Sequence, residues 1–497
     1  MSNLKIEYIV VAIFLIVWLS FIYISRDVFN YSDETDTVDR YLPQAYHFID
    51  GDYRQNSIGM AIIYYPLTFW DKMNVFKPAV MYTMVWGWLF LLLSYLYFRK
   101  YFNIYYSLIL LACLMSFPAV SFYVQNVSSD IIVAALLMLF MVLLPKKENF
   151  VESKRYIGLA IILSFLYLNR FNAFFLQIGF LIYLFVMIQG WTKECWRDKE
   201  NIKMTGIVLL LFVIVWIPNL LTVGLLGKMH DRIVSGDNGN FVVSVFSNLG
   251  QVAGVYLGNF GSFVGGESFI NVVIVFIVLF LMLFYNSITK KTFSCNICKR
   301  FFVSEIIVII FYIFTFLIMT YMPRLWMSFL PVLLVQGFVL VGVVDKIKNK
   351  TGIIVLVICA FVLSLWYTNY RLSESKSILN SYVLSDKQIG LLIKNNFGSR
   401  LNIASRKPHI PFYADGNHVN YPRIIYSNNT NIDSIFSVYK TDIIYFSEIE
   451  QSMLQGNVYL ALRNCKRYIP VRFGSNNYIL LLDSDNIRFR NILKTKN

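Results

Sequence analysis

Charge is scarce in this chain: only 15% of its 497 residues are Asp, Glu, Lys or Arg, against 57% hydrophobic. That balance excludes an ordinary soluble domain and fits a bundle of spanning helices. Histidine and cysteine are thin as well. The four histidines (His47, His230, His409, His418) lie far in sequence from the one close thiol pair, Cys295 and Cys298. A lone C-x-x-C is half a zinc site, so the six scattered cysteines read as incidental thiols. No internal repeat or low-complexity tract organises the chain. Basic residues outnumber acidic ones to a formal charge of +15. In so apolar a chain this excess reads as Lys and Arg retained on the cytoplasmic side, not as a nucleic-acid surface.

What the chain does have is apolar length. Runs able to cross about 30 Å of hydrocarbon fall near 6–25, 79–98, 104–121, 129–145, 156–169, 171–189, 204–226, 268–287, 302–321, 326–344 and 352–369. The expectation is a polytopic α-helical membrane protein of about eleven spans. The first run is too long for a signal-peptide core and has no small-residue cleavage site, so it reads as a retained helix. The fifth and sixth runs meet at Arg170 and read equally as one kinked pair. Ser57–Trp70 is apolar but too short to span, and its aromatic residues suit a helix lying in the interface.

Five basic connectors set the orientation: Arg99-Lys100, 146–155, 193–203, 290–300 and 345–350. With alternating spans all five share a side with the N-terminus, and the positive-inside rule makes that side the cytoplasm. The loop 26–78, the Gly- and Asn-rich loop 227–267 and everything after residue 370 then lie outside. Residues 371–497 alternate short helical and strand-like segments, such as LSDKQIGLLIKNN, NIASR, DIIYFSE, YIPVRF and NYILLLD, separated by turn residues such as GNH and GSNN. They read as a small extracytoplasmic α/β domain following a transmembrane domain over 1–370.

The first outer loop concentrates carboxylates: Asp33, Glu34, Asp36, Asp39, Asp50 and Asp52. Three more ionisable residues fall at the same level, at outer helix ends. These are Asp130 in NVSSDIIVAALLM, Arg170 in YLNRFNAFF and Arg324 in YMPRLWMSFLP. Each alone is accounted for by interface anchoring or, for Asp130, by a helix cap. Together they put acids and arginines on one face of one bundle. Arginine matches a lipid phosphate or pyrophosphate bidentately, and carboxylates there suit a divalent cation or a hydroxyl proton.

The order of these features resembles the C-type (GT-C) membrane glycosyltransferases, in particular the family 39 and aminoarabinose-transferase-like enzymes that use a polyprenyl-phosphate sugar. Tyr41, Ala45 and Gly51 match a Tyr-x3-Ala-x5-Gly pattern after the first acidic motif. Asp130 matches a second acid at the fourth span, Arg170 a basic residue in a following stretch, and Arg324 a late R-Y-hydrophobic-P stretch with Trp326 in the aromatic place. Ser405–Tyr413, SRKPHIPFY, is similar to a segment that follows the last span. The chain departs from the pattern where an acid stands about four residues before the tyrosine: those places hold Thr37 and Val38. The choice of base between Asp33, with its Glu34 neighbour, and Asp36 stays open.

The resemblance implies inverting transfer of a sugar from a polyprenyl-phosphate donor to an acceptor hydroxyl at the outer membrane face, with no nucleic acid involved. A first-loop carboxylate (Asp33, Glu34 or Asp36) is then the base, with Asp130 orienting it or sharing a divalent metal ion between Asp36 and Asp130. Arg170 and Arg324 offset the charge of the departing phosphate, and Arg406 and Lys407 either contact phosphate or stabilise the fold. His47 reads as packing or, alternatively, as a metal ligand. The acceptor is a glycan, lipid or protein, and the membrane expected is the prokaryotic plasma membrane. Two other readings stand beside this one: a transporter or flippase, and a polymerase or ligase of lipid-linked glycans. Transporters place charge or Gly/Pro breaks within spans, whereas these spans are nearly free of charge. A polymerase or ligase shares the arginines without requiring the acidic loop.

Overall fold

The computed structural model describes residues 2–25, 41–46, 58–71, 74–116, 120, 123–124, 126–144, 153–171, 173–184, 199–222, 327–332, 334–335, 362, 386–405, 408–420, 440–446, 467–473, 478–484, 486 and 489. The spans expected at 268–287 and 302–321, the loop 227–267 and the pair Cys295 and Cys298 lie outside the described residues. The chain forms two compact units. The first is Met1–Asp27, Gln44–Pro66 and Ala79–Leu372; the second is Val28–Pro43, Leu67–Pro78 and Ser373–Asn497. The second unit thus also takes in two short segments from the N-terminal part of the chain.

The first unit is helical. Its helices include Ser2–Ser25, Ile58–Tyr64, Ile104–Ser116, Ser129–Leu143, Ser153–Asn169, Ala173–Tyr183 and Lys199–Thr222, together with all but the first turn of Phe76–Phe98. Glu7–Ile24, Phe76–Phe98 and Ile202–Leu221 are long and apolar enough to cross a membrane. Their outward faces are oily: Ile9, Val10, Ile13, Ile16 and Val17 are each more than half exposed, as are Leu210, Ile214 and Leu220. Apolar faces of that extent belong against lipid. The helices at 153–169 and 173–183 are separate, broken at Arg170 and Phe171.

Ser129–Leu143 is different in kind. Twelve of its fifteen residues are buried, the mark of an interior helix that is apolar all round. It packs against Ser153–Asn169 and against the short 3-10 turn Met327–Phe329. Ser153–Asn169 in turn carries Ile58–Tyr64, Ala173–Tyr183 and Lys199–Thr222. Lipid tails are as apolar as these side chains, so close packing and satisfied polar groups hold such a unit together. Thr83 and Ser94 illustrate the second point: each hydroxyl donates to a carbonyl one turn back, Ala79 at 2.8 Å and Phe90 at 2.7 Å.

One end of this bundle is basic. Lys100 Nζ donates to the carbonyls of Met141 (2.5 Å) and Leu144 (3.0 Å), and Arg155 Nε to that of Leu143 (2.7 Å). These carbonyls close the Ser129–Leu143 helix, where a cation suits both the orphan acceptors and the dipole. Beside them Arg99 Nε and Tyr95 hydroxyl both donate to Glu7 Oε1 at 2.6 Å, and Arg99 Nη1 to the Phe102 carbonyl. The basic connector at 99–100 therefore fastens helix ends as well as carrying charge.

The second unit is built on a five-stranded mixed sheet of order β2-β1-β3-β5-β4, with β1 Asn402–Ser405, β2 Asn417–Asn420, β3 Ile443–Phe446, β4 Tyr468–Phe473 and β5 Tyr478–Asp483. β1 runs parallel to β2 and β3, while β5 is antiparallel to β3 and β4. Strands β1, β3, β4 and β5 fall on the segments read as strand-like. β2 is a correction: its Gly-Asn-His opening reads as a turn, yet Asn417–Asn420 pairs along β1 from Asn402 to Ser405. A helix over 386–397 supplies Ile389, Ile393 and Phe397 to a core shared with Ile403, Ile443, Leu482 and Phe489. Gly398, at φ 88°, ends that helix as its N–H returns to the Lys394 carbonyl at 3.0 Å. Phe76, from the segment Leu67–Pro78, sets its ring 5.5 Å from Phe412 and 5.7 Å from Tyr413.

Candidate functional site

The start of the Ser129–Leu143 helix and the end of Ser153–Asn169 meet. Ser128 stands at the N-cap position of the former in extended conformation (φ −148°, ψ 158°), without a side-chain capping bond, and Asp130 lies in its first turn. A carboxylate there complements the positive end of the helix dipole. Arg170 directly follows the last residue of the other helix, its N–H bonded to the Leu166 carbonyl at 2.8 Å. A cation there complements the negative end.

The two charges close on each other. Arg170 Nη2 forms an ion pair with Asp130 Oδ1, and Arg170 donates to Ser129 Oγ from Nη2 at 2.9 Å and from Nε at 3.2 Å. The Asp130 side chain is 2% exposed and that of Arg170 is 17% exposed. The carboxylate is therefore sealed inside, while the Arg170 side chain keeps a small exposed part. Tyr64, from the helix after the acidic loop, donates its hydroxyl to the Ser128 carbonyl at 2.9 Å. A buried pair of this kind is a fixed dipole whose neutralisation depends on both members.

Of the residues singled out from the sequence, the structure brings Asp130 and Arg170 together. Asp33, Glu34, Asp36, His47, Arg324, Arg406 and Lys407 lie outside the described residues. Met327–Phe329, just after Arg324 in sequence, packs against the helix that carries Asp130. Tyr64 and Ser129 enter the site without having been singled out. The SSD spelling hinted at Ser129, whereas Tyr64 is one aromatic among many in an interface-like stretch.

The described residues do not make a metal site. They include no group of three or more His, Cys, Asp or Glu side chains, and one oxygen of Asp130 already receives Arg170. A hard divalent cation takes six or more oxygen ligands.

No family profile and no curated protein matches the chain. Solved structures do. ArnT from Cupriavidus metallidurans bound to undecaprenyl phosphate aligns with a TM-score of 0.59 at 13% identity, covering 97% of this chain and 98% of that one. The apo form of the same protein gives 0.53 at 12% identity over the same shares. The Archaeoglobus fulgidus oligosaccharyltransferase, in complex with zinc and sulfate, gives 0.52 at 11% identity over 94% of this chain and 73% of that one. The fold is that of the C-type glycosyltransferases. The expected resemblance is met at the level of fold, and with several apolar helices the chain is an integral, polytopic membrane protein. Since the alignment takes in almost all of both chains, the C-type likeness extends beyond the helical bundle.

Proposed function

We propose that this chain is a membrane glycosyltransferase that moves a sugar from a polyprenyl-phosphate donor to an acceptor hydroxyl at the outer face of the membrane. The observation that carries the reading is the Asp130–Arg170 pair at a helix junction of a C-type fold. The bound undecaprenyl phosphate of the ArnT structure supports a polyprenyl-linked donor. The membrane is the prokaryotic plasma membrane, with the N-terminus cytoplasmic and residues 371–497 outside. The acceptor is a glycan, a lipid or a protein.

In the reaction, the acceptor oxygen attacks the anomeric carbon and forms the new C–O bond. The bond to the phosphate oxygen breaks, and its electron pair leaves with the polyprenyl phosphate. A first-loop carboxylate, Asp33, Glu34 or Asp36, takes the acceptor's proton as the oxygen attacks the opposite face of the sugar. Negative charge grows on the phosphate, and Arg170 with Arg324 offsets it. A preoriented cation in a low-dielectric site is effective because it need not reorganise during reaction. Asp130 and Ser129 hold the Arg170 guanidinium in place, so Asp130 serves the cation. Arg406 and Lys407 add positive charge for the donor phosphate.

The test is transfer of labelled sugar from a polyprenyl-phosphate donor by purified protein. Wild type forms a new glycosidic bond, and at least one of Asp33→Asn, Glu34→Gln and Asp36→Asn lowers the rate about 100-fold or more while remaining folded. Full activity in all three variants sinks the mechanism. Flux across sealed vesicles with no new bond sinks the transferase reading altogether.

A further inference from the structure

The short helix Ile58–Tyr64 touches both helix ends that meet at the Asp130–Arg170 pair. Tyr64 is fully buried, and its hydroxyl holds the carbonyl of Ser128, two residues before Asp130. Gly59, at the other end of the same helix, lies on the last backbone before Arg170. A Cβ added there would stand 2.6 Å from the carbonyl carbon and oxygen of Leu168 and 2.9 Å from the Asn169 nitrogen. Those neighbours are backbone atoms, which cannot swing aside as the end of a side chain can, so the approach requires glycine. Tyr82 secures the helix from a third direction, its hydroxyl donating to the Ile63 carbonyl at 2.9 Å. Its ring lies 6.1 Å from that of Tyr64.

We infer that Gly59 and Tyr64 are positioning residues for the Asp130–Arg170 pair, fixing the spacing between Ser128 and Asn169 and hence how the guanidinium meets the carboxylate. Both act through the backbone beside the charged groups: Gly59 through Leu168 and Asn169, Tyr64 through the Ser128 carbonyl. The effect on catalysis rests on the reading of Arg170 as the cation facing the departing phosphate, whereas the geometric coupling does not. Displacement of a catalytic group by about 1 Å is enough to cost on the order of 100-fold in rate. The chain between the acidic loop and the second span thereby gains a task beyond connection.

Two measurements on the full-length protein in detergent test this. The first needs no activity: a melting-temperature cycle of Tyr64→Phe with Arg170→Gln. A helix that merely adds stability gives additive losses, whereas one that positions the pair gives a non-additive cycle, by about 1 °C or more. Gly158→Ala is the control, since nothing lies within 4 Å of a Cβ there; its cycle with Arg170→Gln is additive. The second is transfer kinetics. Tyr64→Phe lowers kcat about tenfold or more with KM for the polyprenyl-phosphate sugar within about twofold, because the lost alignment matters as charge develops. Gly59→Ala lowers activity further or fails to fold, and Gly158→Ala retains wild-type activity. An additive cycle for Tyr64→Phe overturns the inference, and so does a Tyr64→Phe enzyme with wild-type kcat. If wild type transfers no sugar while the cycle stays non-additive, the positioning stands and the transferase reading falls.

Discussion

Two arginines in the helical unit occupy equivalent places and have different consequences. Arg99 and Arg170 each directly follow the C-terminus of a long apolar helix, and each pairs with a carboxylate from another helix. Arg99 directs Nε and Nη2 to Glu7 and Nη1 to the carbonyl of Phe102, three residues on. Tyr95 shares the same Glu7 oxygen. That cluster is a latch tying the first helix to the Phe76–Phe98 helix. Arg170 instead reaches the opening turn of a helix with twelve of its fifteen residues buried, where Asp130 is 2% exposed against 11% for Glu7. Depth separates a fastening from a candidate site, because fixed charge gains force as solvent is removed.

The comparison breaks or sharpens under mutation. Asp130→Asn leaves Arg170 facing an uncharged group in a buried setting, with an expected loss of about 3–5 kcal/mol. Glu7→Gln keeps an acceptor for Tyr95 and Arg99 in a wetter place, with an expected loss of about 1 kcal/mol. Melting temperatures in detergent rank the two, and equal losses would erase the distinction. Next in size is Lys100→Met, which strips the ammonium from the Met141 and Leu144 carbonyls. Helix-end cations of this kind contribute about 0.3–1 kcal/mol, so a small drop in melting temperature with transfer intact is expected. A collapse of transfer would show that the basic end also serves the reaction.

The smallest effect lies in the second unit. Burial lowers the Lys387 ammonium below the ordinary lysine value, although the Tyr413 ring, 5.8 Å away, favours the charged form. The folded state therefore binds this proton more weakly than the unfolded chain does. The resulting cost is fully present at neutral pH and is relieved as pH rises from the folded value to the ordinary one. Lys387→Met should slow hydrogen exchange of β1 at pH 7, referred to the intrinsic rate, and the gain should shrink toward pH 10. A gain that does not change with pH would assign the effect to packing alone.

Much of the helical unit is legible in the sequence because long apolar runs have few alternatives. Ser129–Leu143, Phe76–Phe98 and Lys199–Thr222 all fall on such runs. The level shared by Asp130 and Arg170 is also legible, from alternating spans and basic connectors. Their direct pairing is not, since forty residues separate them and periodicity carries no distance between helices. Tyr64 and Ser128, sixty-four apart, are hidden for the same reason. β2 is missed through composition. Asn417 and His418 are poor strand formers, but pairing with β1 and side-chain bonds from Asn417 to Asn402 (3.0 Å) and between His418 and the Ser405 carbonyl (3.1 Å) override that preference. Gly59 is hidden too: Gly158 also stands inside an apolar helix, yet nothing lies within 4 Å of its Cβ position, so glycine in such a stretch does not by itself reveal a close backbone approach.

The most direct test of the central claim is to measure sugar transfer from a polyprenyl-phosphate donor by Arg170→Gln and Arg99→Gln side by side, each at a temperature where it remains folded. Arg170 as the cation of the reaction predicts a loss of about 100-fold or more in kcat for Arg170→Gln and wild-type turnover for Arg99→Gln. Equal activity in the two variants would contradict it.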